Sequence, residues 1–440
     1  MRAKIALWVG ALALLGGMSV ATPAEAQRSA PLLPADLLFT STESGSYGFW
    51  PQTPRNVIVR VDAFTRDATP FYTDEQASYV IPLSWSPQGD LLAFYRLIPQ
   101  EDNYIRQLCL LSREGVLLRC FEAAPPSRTG YPRFDTERYV VTWSVDGRRA
   151  YFVTECAEPK PIPHQRCLVE ADTTTGQTLR VLYALEYPTP TPFVWTPRRD
   201  VLLIGAGEEW LWQAGAPPVL FDVSAEDVLL DLSTIVPPHA IPDRVSPYLS
   251  PQGTYVEVFV HYDLLDYNPW QLDRNVYGPT LSAMLVVDRR GEVRATWGEP
   301  ENALPVPVAL GWGDDERTLY TVTHDMSTTC GDYSLWHPLR FHAYDLGAAQ
   351  ATALDVGEPC SGMQRVKGPL QLAPDATAMV FLGLPADSDP YSEAWQVTVL
   401  SMETGTLQAV GATYRFGVHP LWVPPMLEVS TQARAHTKRR

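Results

Sequence analysis

Four stretches of the sequence combine tyrosine, tryptophan and carboxylate side chains in a recurring pattern. In each stretch a tyrosine is followed three or four residues later by a tryptophan, at 44–52, 261–270, 330–338 and 388–395. Aromatic rings beside polar groups are typical of binding hot spots, and they also stack on sugar rings. We predict a ligand-binding surface made of Tyr47, Trp50, Asp263, Tyr267, Trp270, Tyr333, Trp336 and Tyr391. The alternative is that the tryptophans anchor strand starts, and it is strongest for Trp395, which abuts an apolar strand.

Two histidines occupy equivalent positions in the repeat described below. His261 and His324 each stand twelve residues after a shared column, with Asp263 and Asp325 close in sequence. Imidazole and carboxylate groups together bind transition metals or transfer protons. The alternative is that they are unconnected loop residues, since no compact ligand spacing such as HExxH is present. The sequence also lacks the GxSxG elbow, the Walker loop and the EF-hand loop, and we expect no cofactor.

A repeated strand–turn–strand unit runs through the chain and must position these residues. Six copies have a short apolar strand, a Pro, Gly or Asp turn and a second apolar strand, at 83–95, 141–153, 193–205, 247–259, 310–322 and 370–382. Their first strands share a column that a truncated copy at 420–425 continues: Trp85, Trp143, Trp195, Leu249, Trp312, Leu372 and Trp422. The spacings along the column are 58, 52, 54, 63, 60 and 50 residues. Such regularity indicates a repeat architecture.

A second hairpin follows each unit. Stretches such as 108–120, 167–182, 284–297, 339–354 and 395–410 alternate apolar and polar residues around a polar or glycine turn, as a hairpin requires. Four strands per repeat are typical of a propeller blade, and one blade alone cannot bury both faces of its sheet. We therefore predict an all-β chain folded as a seven-bladed β-propeller.

The two ends of the mature chain are predicted to share one blade. Residues 37–43 form a second strand that lacks its first, and residues 56–72 form the outer hairpin. The stretch 420–425 then supplies the missing inner strand. Pairing of the two ends would fasten the ring and remove exposed sheet edges, which otherwise invite aggregation.

The units SWSPQG and TWSVDG resemble the WD-like repeats of TolB-type propellers, whose blades begin with a Trp-Ser-Pro-Asp-Gly-like turn. The resemblance covers nearly the whole mature chain and implies a propeller fold. It implies no single activity, because that family includes scaffolds, binding modules and non-catalytic parts of peptidases. Leu249 and Leu372 depart from the pattern by replacing the tryptophan, so six or eight blades are open alternatives at this point.

The composition suits a large β-protein. The 440 residues include 40 prolines and 28 glycines spread along the chain, and 45% of the residues are hydrophobic. Proline and glycine at this frequency favour many short strands joined by turns. The net charge of −16 makes nucleic acid and anionic membranes unfavourable partners.

The N-terminus has the features of a signal peptide. Two basic residues precede an apolar run over 5–20, and Ala24-Glu25-Ala26 fits a cleavage site. We predict a signal peptide over 1–26, a single propeller domain over 27–430 and a basic flexible tail over 431–440. An uncleaved signal anchor is the alternative. No later stretch is apolar enough to span a membrane, and we expect a monomer in the periplasm or outside the cell.

Six cysteines in an exported chain favour three disulfides. The predicted pairs are Cys109–Cys120 across a hairpin, Cys156–Cys167 around the loop 157–166, and Cys330–Cys360 as the remaining pair. In a propeller, the second-to-third connections and the blade-to-blade connections share one face, which we call the top face. We expect all three bridges at the top face, where they either brace long loops or hold a binding surface rigid.

Two functions from different classes are consistent with these residues. The first is a non-enzymatic binding or scaffold propeller whose top-face loops bind a protein, a peptide or a glycan. The second is a metal-assisted polysaccharide lyase or hydrolase with a site near the propeller axis, where His261 and His324 would act. The absence of catalytic motifs favours the first.

Overall fold

The computed structural model of the chain is built almost entirely of β-strands. It describes residues 33–40, 56–100, 103–121, 141–156, 166–184, 193–195, 201–206, 218–235, 240–250, 253–262, 282–297, 308–313, 315–324, 339–354, 363–375, 377–385, 394–414 and 420–426. These residues form 28 strands and one short 3-10 helix, Leu232–Ile235. Among them, no helix has the length and apolar character needed to cross a membrane.

The strands are short and follow one another at regular intervals. The first fifteen are β1 Leu37–Thr40, β2 Val57–Val61, β3 Ala68–Thr73, β4 Tyr79–Trp85, β5 Leu91–Gln100, β6 Asn103–Ser112, β7 Leu117–Cys120, β8 Val141–Trp143, β9 Arg149–Glu155, β10 Arg166–Asp172, β11 Thr178–Ala184, β12 Phe193–Trp195, β13 Val201–Ala206, β14 Val219–Asp222 and β15 Asp227–Asp231. The remainder are β16 Ala240–Leu249, β17 Tyr255–Tyr262, β18 Ser282–Asp288, β19 Val293–Trp297, β20 Val308–Trp312, β21 Thr318–His324, β22 Leu339–Asp345, β23 Gln350–Leu354, β24 Met363–Leu372, β25 Ala378–Pro385, β26 Ala394–Ser401, β27 Leu407–Tyr414 and β28 Leu421–Trp422.

Seven antiparallel sheets of four strands form the blades. Six use four consecutive strands: β4–β7 is blade 2, β8–β11 blade 3, β12–β15 blade 4, β16–β19 blade 5, β20–β23 blade 6 and β24–β27 blade 7. Blade 1 has the order β28-β1-β2-β3, so its inner strand comes from the other end of the chain. In each blade the first strand is the inner one and the fourth is the outer edge.

The ring closes through blade 1. Leu37 pairs with Trp422 and Leu38 pairs with Leu421, as the truncated repeat predicts. The inner strand of every blade contacts the inner strand of the next, from β28 to β4 and onward until β24 meets β28. The prediction of seven blades is therefore confirmed, and the alternatives of six or eight are excluded.

Two tryptophans of the column each tie their blade to the one before it. Trp143 donates its indole N–H to Ser84 Oγ at 2.9 Å, and Trp422 donates to the carbonyl of Gln371 at 2.9 Å. Both acceptors lie on the inner strand of the preceding blade. A large apolar ring with one donor thus covers the neighbouring sheet and still satisfies its polar atom.

One residue caps the outer turn of each blade; it is the last residue of the third strand in six blades and Asp62, directly after β2, in blade 1. Its side-chain oxygen accepts backbone N–H groups of the turn in all seven blades: Asp62, Ser112, Asp172, Asp222, Asp288, Asp345 and Ser401. For Asp62, Asp172 and Asp345, these backbone donors are the largest cause of a lowered pKa. Short capped turns of this kind need no further partner, since their polar groups are satisfied locally.

Positive φ recurs at one position of the outer turn. Gly115, with φ of 81°, allows the blade 2 turn to lie against blade 1, where a Cβ would collide with the carbonyl oxygen of Phe71. Blades 3, 5 and 7 also have glycine at this position. Arg66, Glu226 and Ala349 adopt the same conformation in blades 1, 4 and 6, although L-residues with a Cβ disfavour it.

Apolar layers between neighbouring blades form the core. The layer between blades 7 and 1 includes Leu37, Val380, Leu382, Trp395 and Trp422, all buried. The position of Trp395 in this layer confirms that it anchors the start of a third strand. Trp395 is therefore a core residue and does not belong to a binding surface.

Two of the predicted cysteine pairs are at disulfide distance. Cys109 faces Cys120 across the β6–β7 hairpin, and Cys156 at the end of β9 bonds to Cys167 on β10. The expected location is wrong for the first pair, because Cys109 lies inside the sheet, close to the turn 113–116 at the opposite face. The position of the β6–β7 turn fixes how far from the top face Cys109 and Cys120 lie opposite each other. The pair Cys156–Cys167 lies at the top end of its blade, as expected. Cys330 and Cys360 lie outside the described residues.

Candidate functional site

The two faces of the propeller receive different kinds of connection. At the bottom face, five-residue inner turns such as 86–90 and 144–148 alternate with the capped outer turns. At the top face, second strands join third strands through segments that are long in most blades: 41–56, 101–102, 157–165, 207–218, 263–281, 325–338 and 386–393. Because strands alternate in direction, every one of these segments begins and ends at the top face. The top face therefore receives most of the chain that lies outside the sheets.

All eight predicted ligand-binding residues belong to these top-face connections. They lie outside the described residues: Tyr47, Trp50, Asp263, Tyr267, Trp270, Tyr333, Trp336 and Tyr391. The flanking strands are described, since β17 ends at Tyr262 and β21 at His324. The binding role of the eight residues stays a prediction.

His261 and His324 occupy the top ends of second strands in neighbouring blades. The backbone of His261 pairs with Ser282 in blade 5, and that of His324 pairs with Leu339 in blade 6. The register that made the two positions equivalent is therefore confirmed. Within the described part of the chain, no three His, Cys, Asp or Glu residues come together as a metal site would require. A metal-binding role for the two histidines stays a prediction.

A third histidine, His342 on β22, is half-buried in the junction between blades 5 and 6. Thr323 Oγ1 is 3.1 Å from His342 Nε2, and His342 pairs with the buried Thr321 on the neighbouring strand. Burial, followed by the positive charge of Arg340, lowers the pKa of His342. The neutral imidazole is therefore favoured at pH 7, and it forms a hydrogen bond with the hydroxyl of Thr323.

A fully buried carboxylate belongs to the same junction. Glu257 has no exposed surface and lies between Tyr255 and Phe259 on the face of β17 that packs against Trp312 and Leu319 of blade 6. Other blades have uncharged residues at this position: Leu38, Ala93, Tyr151, Tyr320 and Val380. Burying a carboxylate is costly unless it interacts with polar or charged groups, so a glutamate here is a departure from the repeat.

The sequence carried a signal for Glu257 that the repeat alignment did not use. In the strand YVEVFVHY the glutamate lies on the same face as Tyr255 and Phe259, and it is the one carboxylate of the strand. His342 had no such signal, because the strand LRFHAYD is mixed along its length. A lone histidine in a mixed strand becomes notable only when its burial and its threonine partner are known.

Blades 1 and 2 are joined near the top face by a second polar cluster. Arg96 Nη1 bonds to Asp74 Oδ2 at 3.0 Å, and Arg96 also donates to Gln107 Oε1. Tyr72 donates its hydroxyl to Asp74 at 2.9 Å. Burial raises the pKa of Asp74, but the hydrogen bonds from Arg96, from Tyr72 and from the backbone of Gln76 outweigh it and leave the pKa lowered. Every partner in this cluster is a residue of the chain, which indicates a structural tie between blades.

No protein-family model matches the sequence, and no curated protein matches it. Among solved structures, the chain is similar to the β-propeller domain of the trilobed protease from Pyrococcus furiosus, with 11% identity, coverage of 76% of this chain and 83% of that chain, and a TM-score of 0.44. It is also similar to the Dos1 propeller, with 12% identity, coverage of 88% and 86%, and a TM-score of 0.43. For an oligogalacturonate lyase in complex with manganese, the identity is 12%, the coverage 76% and 74%, and the TM-score 0.41. These likenesses concern the fold alone.

Proposed function

We propose that this chain is a non-enzymatic binding or scaffold propeller that uses its top face to bind a protein, a peptide or a glycan. The observation that supports this role is the difference between the two faces. The bottom-face turns are short and satisfy their own polar groups, whereas the aromatic and acidic stretches of the sequence all fall in top-face connections. Binding sites concentrate on connections held by a rigid scaffold, which is the arrangement proposed here.

We further propose that the chain is exported. Two cysteine pairs at disulfide distance favour an oxidising compartment. The signal-peptide pattern over 1–26 supports the same location, with one propeller domain over 27–430 and a basic tail over 431–440. The exported protein would act as a monomer, because closure of the ring within one chain leaves no blade to be supplied by another.

The binding role is tested by truncating top-face aromatics in the full chain. Trp270→Ala and Trp336→Ala should each weaken binding to probes from a peptide array or a glycan array by about tenfold, as expected for hot-spot residues. Phe64→Ala is the matched control, because Phe64 is an aromatic residue 47% exposed on a bottom-face turn. Circular dichroism of each variant checks that the fold is retained.

Unchanged binding by both tryptophan variants would contradict the top-face assignment. Binding or turnover that requires a stoichiometric metal, and that disappears in the His261→Ala/His324→Ala double variant, would instead favour the metal-dependent enzyme. Elemental analysis of the purified chain separates these outcomes, since a binding propeller needs no metal.

A further inference from the structure

The chain continues beyond the closing strand β28 along the bottom face of blade 2. Val423 is buried in the apolar layer between blades 1 and 2, and its backbone N–H donates to the carbonyl oxygen of Asp36 at 2.8 Å. The carbonyl oxygen of the next residue, Pro424, accepts a hydrogen bond from Arg113 Nη2 at 2.8 Å. Arg113 Nη1 donates to the carbonyl of Gly89 at 2.6 Å. Arg113 therefore holds the segment that follows ring closure against blade 2.

The inner turn of blade 2 leaves room for this segment. A Cβ at Gly89 would lie 3.1 Å from the Pro424 ring and 3.1 Å from the carbonyl oxygen of Pro425. The Arg113 guanidinium also lies 5.8 Å from the centroid of the Trp85 ring, at the end of β4. These contacts fix the path of the chain as far as Met426, whose side chain is 62% exposed.

An exposed apolar patch begins directly after the turn that contains Arg113. Val116, Leu117 and Leu118 are 58%, 38% and 43% exposed, and we call these three residues the β7 patch. In the described ranges, no other outer strand has more than two consecutive large apolar side chains that are exposed. Leu117 lies opposite Leu111, a buried residue of the layer between blades 1 and 2. Because opposite residues share a face of the sheet, Leu117 lies on the face of blade 2 that the layer with Val423 covers.

The sequence after Met426 has the pattern of a strand with one covered face. Fourteen residues follow Met426, and the first four alternate apolar and polar side chains: Leu427, Glu428, Val429 and Ser430. Alternation of this kind is typical of an extended segment that buries one face. Four extended residues span about 13 Å, which matches the four residues of β7.

We propose that residues 427–430 lie along β7 as an added outer strand of blade 2, with Leu427 and Val429 covering the β7 patch. The patch adjoins the turn whose arginine holds Pro424, so the segment reaches it directly from its last described residues. The contact would also extend the interface that Val423 and Pro424 already make with blade 2. The segment would thus fasten the ring a second time, by tying the C-terminal stretch to blade 2 after β28 has tied it to blade 1.

The test is amide hydrogen exchange of the full chain, measured by mass spectrometry. We expect the amides of 427–430 to be protected at least about tenfold relative to an unstructured chain, and those of 435–440 to be unprotected. Val429→Asp should abolish the protection, because it places a charge against the β7 patch. Ser430→Asp adds the same charge at a polar position of the alternation and should retain the protection. Val429→Ser is a milder second variant and should reduce it.

A second pair of variants tests the surface on blade 2. Leu117→Ser should lower the protection of 427–430 by about fivefold, because it removes apolar contact area. Leu179→Ser is the matched control, since Leu179 is 48% exposed on β11, the outer strand of blade 3. Exchange of the β18 amides, in blade 5, checks that each variant retains the fold.

Each of several outcomes would overturn the inference. They are unprotected amides at 427–430 in the parent chain, an equal loss in Val429→Asp and Ser430→Asp, and an equal loss in Leu117→Ser and Leu179→Ser. Protection of the β7 amides that rises with protein concentration, with 427–430 unprotected, would show that a second copy covers the patch. None of these results changes the binding of probes at the top face, so this inference and the proposed function fail independently.

Discussion

Blades 6 and 7 are neighbours in the ring, yet they meet their next partners through different chemistry. The junction of blade 7 with blade 1 contains a large cluster of buried apolar residues, with Val380, Leu384 and Trp422 among them. The junction of blade 6 with blade 5 contains a buried carboxylate, Glu257, and the half-buried His342 with its threonine partner. An apolar junction stabilises in proportion to the area it buries, whereas buried polar groups must each be satisfied.

The turns of the two blades also differ, because blade 6 has residues other than glycine at positive φ. Blade 7 has Gly405 at the positive-φ position of its outer turn, but blade 6 has Ala349 there, with φ of 52°. Blade 6 also has Glu316 at φ of 54° in its inner turn. The Glu316 carboxylate accepts hydrogen bonds from Ser250 and Thr254 of blade 5 at 2.7 Å each, and these bonds offset the unfavourable backbone.

The difference between the two blades follows from their positions in the chain. Blade 7 packs against the C-terminal strand β28 of blade 1, and this two-residue strand has few backbone hydrogen bonds, so side-chain burial supplies the stability. Blade 6 lies within continuous chain on both sides and tolerates local departures from the repeat. Departures of this kind concentrate at functional positions in proteins.

The largest effect is expected at the ring closure. Trp422→Ala should lower the free energy of unfolding by about 3–5 kcal/mol, because it empties a large volume in a layer where Trp422 is only 4% exposed. Denaturant unfolding followed by tryptophan fluorescence measures the change. Phe64→Ala, an exposed aromatic in the same blade, should change stability by less than about 0.5 kcal/mol. A loss below about 1 kcal/mol in Trp422→Ala would mean that the C-terminal strand does not hold the ring.

A smaller change, this time an increase in the free energy of unfolding, is expected for a substitution between blades 6 and 7. Thr398 is completely buried beside Phe381, and its hydroxyl has no hydrogen-bond partner among the described residues. Thr398→Val should therefore raise the free energy of unfolding by about 1 kcal/mol. Thr40→Val is the matched control, since the Thr40 hydroxyl is equally buried but donates to Val80 at 2.7 Å. The control should lose about 1 kcal/mol, and a gain in both variants would disprove the explanation.

Glycine at position 349, in the outer turn of blade 6, should stabilise the protein. Ala349→Gly should raise the free energy of unfolding by about 0.5–1 kcal/mol, because glycine adopts the positive φ without steric cost. Ala349 is exposed, so the change removes no packing. Ala348→Gly makes the same substitution one residue earlier, where φ is not positive, and should give no gain. Thermal unfolding of the two variants side by side decides between them.

The smallest effect is a pH dependence located in blade 6. Burial favours the neutral imidazole, so the pKa of His342 is lower in the folded chain than in the unfolded chain. The contribution of neutral His342 is complete above the unfolded pKa of about 6.5 and decreases as the pH falls below it, because the unfolded chain binds the proton first. Denaturant midpoints at pH 7.5 and pH 5.5 should differ less in His342→Gln than in the parent chain.

The aspartates that cap the outer turns are protonated at a lower pH than His342. Asp62, Asp172 and Asp345 have pKa values lowered from 3.8, so their stabilising contributions are present above that value and decrease as the pH falls further. They do not contribute to the change between pH 7.5 and pH 5.5. Equal pH dependence in His342→Gln and in the parent chain would show that other groups are responsible.

The sequence predicted local features well where each repeat encodes them independently. The tryptophan column placed the inner strands, and the turns after Trp85 and Trp143 appear where the Pro and Gly residues required them. The residues that cap the outer turns, such as Asp172 and Asp288, also recur in the sequence, but the repeat pattern did not predict their role. Hairpin pairing and capping depend on residues close in sequence, so one copy of the pattern suffices to predict each.

The sequence by itself determined the four-stranded blade and the presence of a matching strand at each end, because these depend on residue type and spacing, whereas the structure decided between seven blades and the alternatives of six or eight. Only the tertiary structure decided which junctions are polar, which turns accept a residue other than glycine, and which connections become neighbours. Those properties depend on contacts between residues that are far apart in the sequence, such as the hydrogen bonds from Ser250 and Thr254 to Glu316. The pairing of Leu38 with Leu421 makes blade 1 the neighbour of blade 7.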